Sequence, residues 1–232
     1  MTARPILGGN GPNSWIWWKW IGGHFWSGRN LSILDALRQH VELTALAVGI
    51  GLVLSLPLAM LAWRYRWLEN PVLGLTGLVY TIPSLALFAF FVPITGLGRT
   101  TSEIGLVGYT LLILVRNTVT GLDGVPEDVR EAARGMGFRP MRQLFTIDLP
   151  LALPAIVAGV RIATVTTIGL VTITVLIGQG GLGQLIYDGF LREFHTTLIV
   201  GSGLCVLLAV IADLALVGLA RVLTPWSKRA RP

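Results

Sequence analysis

Residues 149–177 read LPLALPAIVAGVRIATVTTIGLVTITVLI, 29 positions with one charge, Arg161. A run of this length is too long for a buried strand and too uniformly apolar for a helix lying on a soluble core. A hydrocarbon layer about 30 Å thick takes about 20 apolar residues in helix, because every backbone polar group must be satisfied within the segment. Four more stretches meet that requirement. Leu43–Trp63 is uncharged, Pro71–Leu97 is interrupted by Pro83, Ile104–Leu122 carries Arg116 near its end, and Thr196–Ala220 contains Asp213. The pattern predicts an all-α polytopic membrane protein with five spans, at about 43–63, 71–97, 104–122, 149–177 and 196–220.

Composition agrees with that reading. The 232 residues hold 18 Lys+Arg and 12 Asp+Glu, so 13% are charged and the net charge is +6, where soluble domains carry about 25%. Such a chain cannot cover itself with polar surface in water, and it lacks the basic, polar composition of a nucleic-acid partner. A single cysteine, Cys205, excludes an internal disulfide. The two lysines, Lys19 and Lys228, precede Trp20 and Arg229, so neither completes a phosphate-cradling P-loop. Basic residues gather on one side: Arg64, Arg66, Arg130, Arg134, Arg139, Arg142, Arg221, Lys228, Arg229 and Arg231. Short cytoplasmic loops accumulate such charge, which predicts an outside N-terminus and a cytoplasmic C-terminus. Five of the eight tryptophans lie in Trp15–Trp26, a stretch too interrupted to span and without the cleavage pattern of a signal peptide. Indole rings favour the headgroup zone, so residues 1–40 are expected to form an interfacial, extracytoplasmic segment. Residues 41–224 then form the membrane domain, and 225–232 a basic cytoplasmic tail.

The loop joining the third and fourth spans, residues 123–148, reads DGVPEDVREAARGMGFRPMRQLFTID. Pro126 suits a first helical position, Glu127 and Asp128 complement the positive end of a helix dipole, and Gly135 or Gly137 can end the helix. Within it Val129, Ala132, Ala133 and Met136 recur at i, i+3, i+4 and i+7, an apolar stripe with small residues at its centre. Arg130, Glu131 and Arg134 are expected to point elsewhere. The stripe packs either on the protein's own helix ends or into a groove of a partner, where alanines permit close approach.

These residues resemble a known family. Glu131-Ala132-Ala133, three residues, Gly137, nine residues, Ile147, one residue, then Leu149-Pro150 matches at each defined position the EAA loop of bacterial ABC-importer permeases. The resemblance implies a type I ABC-importer permease with a five-helix core. Its EAA segment would be a coupling helix seated in a cleft of an ATP-binding subunit, with Glu131, Ala132, Ala133, Arg134, Met136 and Gly137 at the contact. The implied partners are two ATP-binding cassette subunits, a second permease (itself or a paralogue), an extracytoplasmic solute-binding protein and membrane lipid, with no nucleic acid. The chain itself would bind no cofactor or metal; ATP and Mg would belong to the partner ATPase.

Similarity continues from about His40 to Thr224. Tyr80-Thr81-Ile82-Pro83-Ser84-Leu85-Ala86-Leu87, Arg116-Asn117-Thr118 and Leu149-Pro150-Leu151-Ala152-Leu153-Pro154 look like the osmoprotectant uptake permeases, carriers of glycine betaine, choline, carnitine or proline-type solutes. Methionine permeases share the EAA loop and Gly180-Gly181-Leu182-Gly183 and form the alternative. Pro83 frees carbonyls in the second span, and broken helices often line pathways; Tyr80, Thr81, Pro83, Ser84 and Asn117 are therefore candidate pathway residues, a packing kink being the plain alternative. Arg161 and Asp213 are expensive in lipid and sit at matching depths, so a structural ion pair is expected, while Arg116 can snorkel. Gly178, Gly180 and Gly183 spell G-x-G-x-x-G, but a long span precedes them and no acid follows about 20 residues on, so a flexible outer turn is expected instead of a dinucleotide site. His24, His40 and His195 lack metal-ligand spacing. An intramembrane enzyme would need clustered carboxylates, a Ser-Lys or Ser-His set, or a metal site, and the spans offer none.

Overall fold

A computed structural model describes residues 14–26 and 32–228. Arg4, Arg29, Arg229 and Arg231, with the rest of the first 13 residues and the last four, lie outside the described residues.

The elements are helical throughout: α1 (Trp18–His24), α2 (Ile33–Arg64), α3 (Arg66–Thr81), α4 (Ser84–Thr95), α5 (Arg99–Asp123), α6 (Glu127–Gly135), α7 (Pro140–Gln143), α8 (Leu149–Val171), α9 (Leu182–Leu191) and α10 (His195–Leu223). A π-helical turn, Leu144–Asp148, joins α7 to α8, and a 3-10 stretch, Thr172–Ile177, extends α8. Among the described residues four helical runs are long and apolar enough to cross a membrane: Ile33–Arg64, Arg99–Asp123, Pro140–Ile177 and His195–Leu223. The pair α3 and α4, broken at Ile82 and Pro83, makes five if it is one span.

Two boundaries differ from the sequence reading. The first spanning helix starts at Ile33, so the expected division at residue 40 falls inside it. Asp35, Arg38, Gln39, His40 and Glu42 lower the hydropathy there, yet the helix continues because His40 is fully buried and hydrogen-bonded. The second stretch is no straight span with a kink. The chain leaves helical geometry at Ile82 (φ −67°, ψ 129°) and Pro83 (φ −55°, ψ 133°), the extended conformation that a residue before proline favours.

The chain divides into two compact units: Met1–Ala47 with Pro83–Leu106 and Thr166–Ile211, and Val48–Ile82 with Val107–Val165 and Ala212–Pro232. In the first, Ile33, Leu182 and Leu185 form a core onto which Trp20 and Ile21 of α1 and Val200 and Leu204 of α10 pack. The Trp17 amide donates to Thr196 Oγ1 at 2.9 Å, and the Trp20 ring meets Phe194 edge-on at 5.5 Å. The tryptophan segment is thus held by the α9–α10 turn, while Trp18 and Trp26 remain exposed.

In the second unit, Ala59, Ala62, Val115 and Val119 form one core and Leu122, Leu144, Ala152 and Ile156 another. Close helix approach depends on absent side chains. A Cβ added to Gly121 of α5 would lie 2.8 Å from Ala155 Cβ and 2.9 Å from the Ala152 carbonyl oxygen, and one on Gly159 of α8 would lie 2.6 Å from Asn117 Cβ. Small residues let backbones meet and gain dispersion contact where lipid offers no hydrophobic drive.

Candidate functional site

The loop expected to carry function folds as α6, a sharp stop, then α7 and the π turn. Glu127 and Asp128 occupy the first turn of α6 and Arg134 the last. The Gly137 amide donates to the Arg134 carbonyl at 2.9 Å and the Phe138 amide to the Ala133 carbonyl at 3.1 Å. With Gly137 at φ +80°, this is a Schellman stop, which needs a residue free to adopt the left-handed region.

The helix is anchored by one side chain that the helical pattern misassigned. Arg130, expected to face away, turns inward: its Nε donates to Asp148 Oδ1 at 3.1 Å, its Nη2 to the Leu122 carbonyl, and its guanidinium lies 5.0 Å from the centre of the Trp63 ring. Asp148 is buried, and Gln143 Nε2 donates to its other oxygen at 3.4 Å. A long side chain can turn back toward the core whatever its position on a helical wheel. Arg134 pairs with Glu127, while Arg66 bridges Asp123 at 2.7 Å and Glu69 at 2.8 Å.

The apolar stripe is consequently divided. Ala133 is fully buried, but Val129 is 37% and Met136 69% exposed, and Glu131 and Ala132 are exposed beside them. The loop is fixed from below and open above. Alongside it the end of α2, α6 and the α7–π segment enclose a groove of about 850 Å³ lined by Met60, Leu61, Arg64, Arg130, Phe138 and Phe145 among others.

At the helix break, the Tyr109 hydroxyl donates to the Ile82 carbonyl, and the Ile82 amide donates to the Val79 carbonyl that Pro83 cannot reach. Tyr80 meets Tyr109 with ring centres 5.6 Å apart, and Thr81 Oγ1 donates to the Leu78 carbonyl at 2.7 Å. Tyr80, Thr81 and Pro83 are exposed and Ser84 is half-buried. Asn117 is elsewhere engaged: its Nδ2 donates to the Ile113 carbonyl at 2.7 Å and its Cβ fills the space left by Gly159. Arg161 and Asp213 meet in a bidentate pair, Nε to Oδ1 at 2.9 Å and Nη2 to Oδ2 at 3.0 Å, a geometry that fixes both side chains. Arg116 is exposed.

The glycine-rich stretch corrects a further expectation, since it is packed tightly rather than free to bend. A Cβ on Gly183 would lie 2.2 Å from the Thr172 carbonyl oxygen, and one on Gly181, at φ +49°, would lie 2.6 Å from His40 Cβ. The stretch leads from a 3-10 segment, not a strand, into α9. His40, to which no role was given, is what holds it. Its Nε2 donates to the Ile168 carbonyl at 3.0 Å and its Nδ1 accepts the Leu182 amide at 3.3 Å, which fixes the neutral Nε2–H tautomer. Gln39 Oε1 accepts the Gly181 amide at 2.9 Å.

Residues 48–229 match the family model of the binding-protein-dependent transport system inner membrane component. The chain belongs to that family. Among the relatives, the osmoprotectant import permease protein OsmW of Salmonella typhimurium is 42% identical over 81% of this chain and 89% of its own. The glycine betaine/carnitine/choline permease OpuCD of Bacillus subtilis is 35% identical over 89% and 91%. The MetNI methionine ABC transporter, solved in inward-facing conformations, superposes with a TM-score of 0.77 at 23% identity, over 83% of this chain and 96% of that one, and shows that the fold is shared. The inner-membrane family and the apolar helices make this an integral membrane transport component, and residues 14–26 lie outside the matched region.

Proposed function

We propose that this chain is the permease subunit of an ATP-driven importer of compatible solutes, of the glycine betaine, choline, carnitine or proline type. Two permeases, identical or paralogous, enclose the path. Two ATP-binding subunits close on ATP and Mg, and α6 passes that closure to the spans, which alternate between outward and inward access. A solute-binding protein delivers its load at the outer face, with the N-terminus outside and the C-terminus in the cytoplasm. The chain supplies no chemistry of its own; hydrolysis belongs to the ATPase.

The observation that carries this reading is the divided helix α6. Arg130 and Ala133 tie it to the ends of the spanning helices, so a push on it moves them. Glu131, Ala132 and Met136 face outward with Val129, at the spacing of a helix seated in a partner's groove. The solute class rests on the osmoprotectant permeases, 31–42% identical over most of the chain. The methionine alternative has the shared loop, the glycine element and a shared fold behind it.

Tyr80, Thr81, Pro83 and Ser84 are the proposed pathway positions. Asn117 is a weaker member, since its amide is bound to its own helix. Arg161 and Asp213 neutralise each other and act as a brace between α8 and α10, not as a solute ligand. The test is uptake of labelled glycine betaine, choline and methionine by proteoliposomes holding the full complex. ATP-dependent accumulation of a quaternary ammonium solute is expected; accumulation of methionine alone would overturn the solute class.

A further inference from the structure

We infer that the groove beside α6 is a binding site for an anionic phospholipid. The inference is independent of which solute is carried. The groove is amphipathic along its length. Met60, Leu61 and Phe145 give it apolar walls, and Leu61 and Phe145 are 49% and 54% exposed. Arg64, the last residue of α2, lines it, and Arg142 lies 4.8 Å over the ring of Phe138, which also lines it.

The charge around the groove is unbalanced. Arg130 and Arg134 are engaged by Asp148 and Glu127, but no carboxylate lies within ion-pair distance of Arg64 or Arg142 among the described residues. Arg64 rests only on the Tyr65 ring, at 5.4 Å. A guanidinium in the groove wall and a second one over a lining ring, neither with a carboxylate partner, fit a phosphate beside an acyl chain held by the apolar walls.

Depth separates a lipid from a protein occupant. Pro57 and Met60 line the groove from inside the apolar α2 span, Pro57 seven residues from its end, or about 10 Å along a helix. A soluble ATPase resting on α6 does not reach that depth, whereas a lipid of the adjoining leaflet does. Trp63 and Tyr65, which line the groove, and Trp67 just beyond them in the chain mark headgroup level. Under the orientation proposed above, that leaflet is the cytoplasmic one.

The experiment is native mass spectrometry of the permease with and without its ATPase, extracted from nanodiscs of phosphatidylglycerol or phosphatidylcholine, with thermal melting in parallel. Retention of phosphatidylglycerol over phosphatidylcholine is expected. Arg64→Gln and Arg142→Gln should each weaken it about fivefold. Leu61→Asn should weaken lipid retention while leaving the melting temperature in phosphatidylcholine unchanged. Equal retention of the two lipids, equal protection by glycerol phosphate alone, or loss of the lipid when the ATPase binds would each overturn the inference. The last outcome would assign the groove to the ATPase contact. None of these depends on uptake, so failure here is distinct from failure of the transport reading.

Discussion

The α6 loop and the glycine turn that leads into α9 are both short connections between long apolar helices, yet they are held by opposite means. The turn is clasped by neutral groups: His40 and Gln39 take its amides, and Gly181 and Gly183 leave no room for a side chain. The loop is clamped by charge, with Arg130 on Asp148, Arg134 on Glu127 and Arg66 on Asp123. A clasp made of absent side chains excludes everything and fixes one geometry. A clamp made of arginines holds a helix by one face and leaves the other exposed, as the proposed transmitting role requires.

The harshest test of the difference is Gly183→Val. The nearest obstacle, 2.2 Å from the added Cβ, is backbone and cannot swing away, so the change should cost at least about 3 kcal/mol and abolish monodisperse protein in size-exclusion chromatography. Recovery of well-folded protein would show the turn to be looser than the geometry says. Next comes Asp148→Ala, which strands the half-buried guanidinium of Arg130. Removing one partner of a buried pair costs about 3–5 kcal/mol, and here the loss should be local. Hydrogen exchange should rise across 123–148 and stay unchanged at 178–191; equal loosening of both would erase the contrast.

A smaller effect is expected of Arg66→Gln, since the Arg66 side chain is 62% exposed. Surface pairs contribute less than about 1 kcal/mol, and the difference from the parent should vanish in high salt. The mildest change for the fold is Glu131→Arg. On an exposed position it should shift stability by no more than about 0.5 kcal/mol, measured by thermal melting, while disrupting the proposed ATPase contact.

Much of the scaffold was legible in the sequence, because spanning helices announce themselves by length and hydropathy. The loop was legible for a different reason: proline, acids, small residues and glycine fall in the order that starts and stops a short helix, and Gly137 sits at the position that a Schellman stop demands. The depths of Arg161 and Asp213 could be counted along their spans, and the structure brings the two together. What escaped was long-range. A helical wheel assigns Arg130 to the outside, because periodicity records where Cα points and not where a flexible guanidinium finds a buried carboxylate 18 residues on. Pro83 signals a break, but no local rule says which partner takes the Ile82 carbonyl beside it, the Tyr109 hydroxyl 27 residues on. His40 and the glycine stretch looked unrelated because 138 residues or more separate them in sequence, and only the fold shows that one is shaped for the other.

In the proposed mechanism the outward face of α6 transmits ATP closure to spans it does not help to stabilise. The most direct measurement is ATP-driven solute uptake by proteoliposomes containing the complex with Glu131→Arg in this chain, alongside recovery of the ATPase on affinity-purified permease. Uptake and ATPase recovery should fall together, while the melting temperature of the permease stays unchanged. Normal uptake with the ATPase fully retained would contradict it.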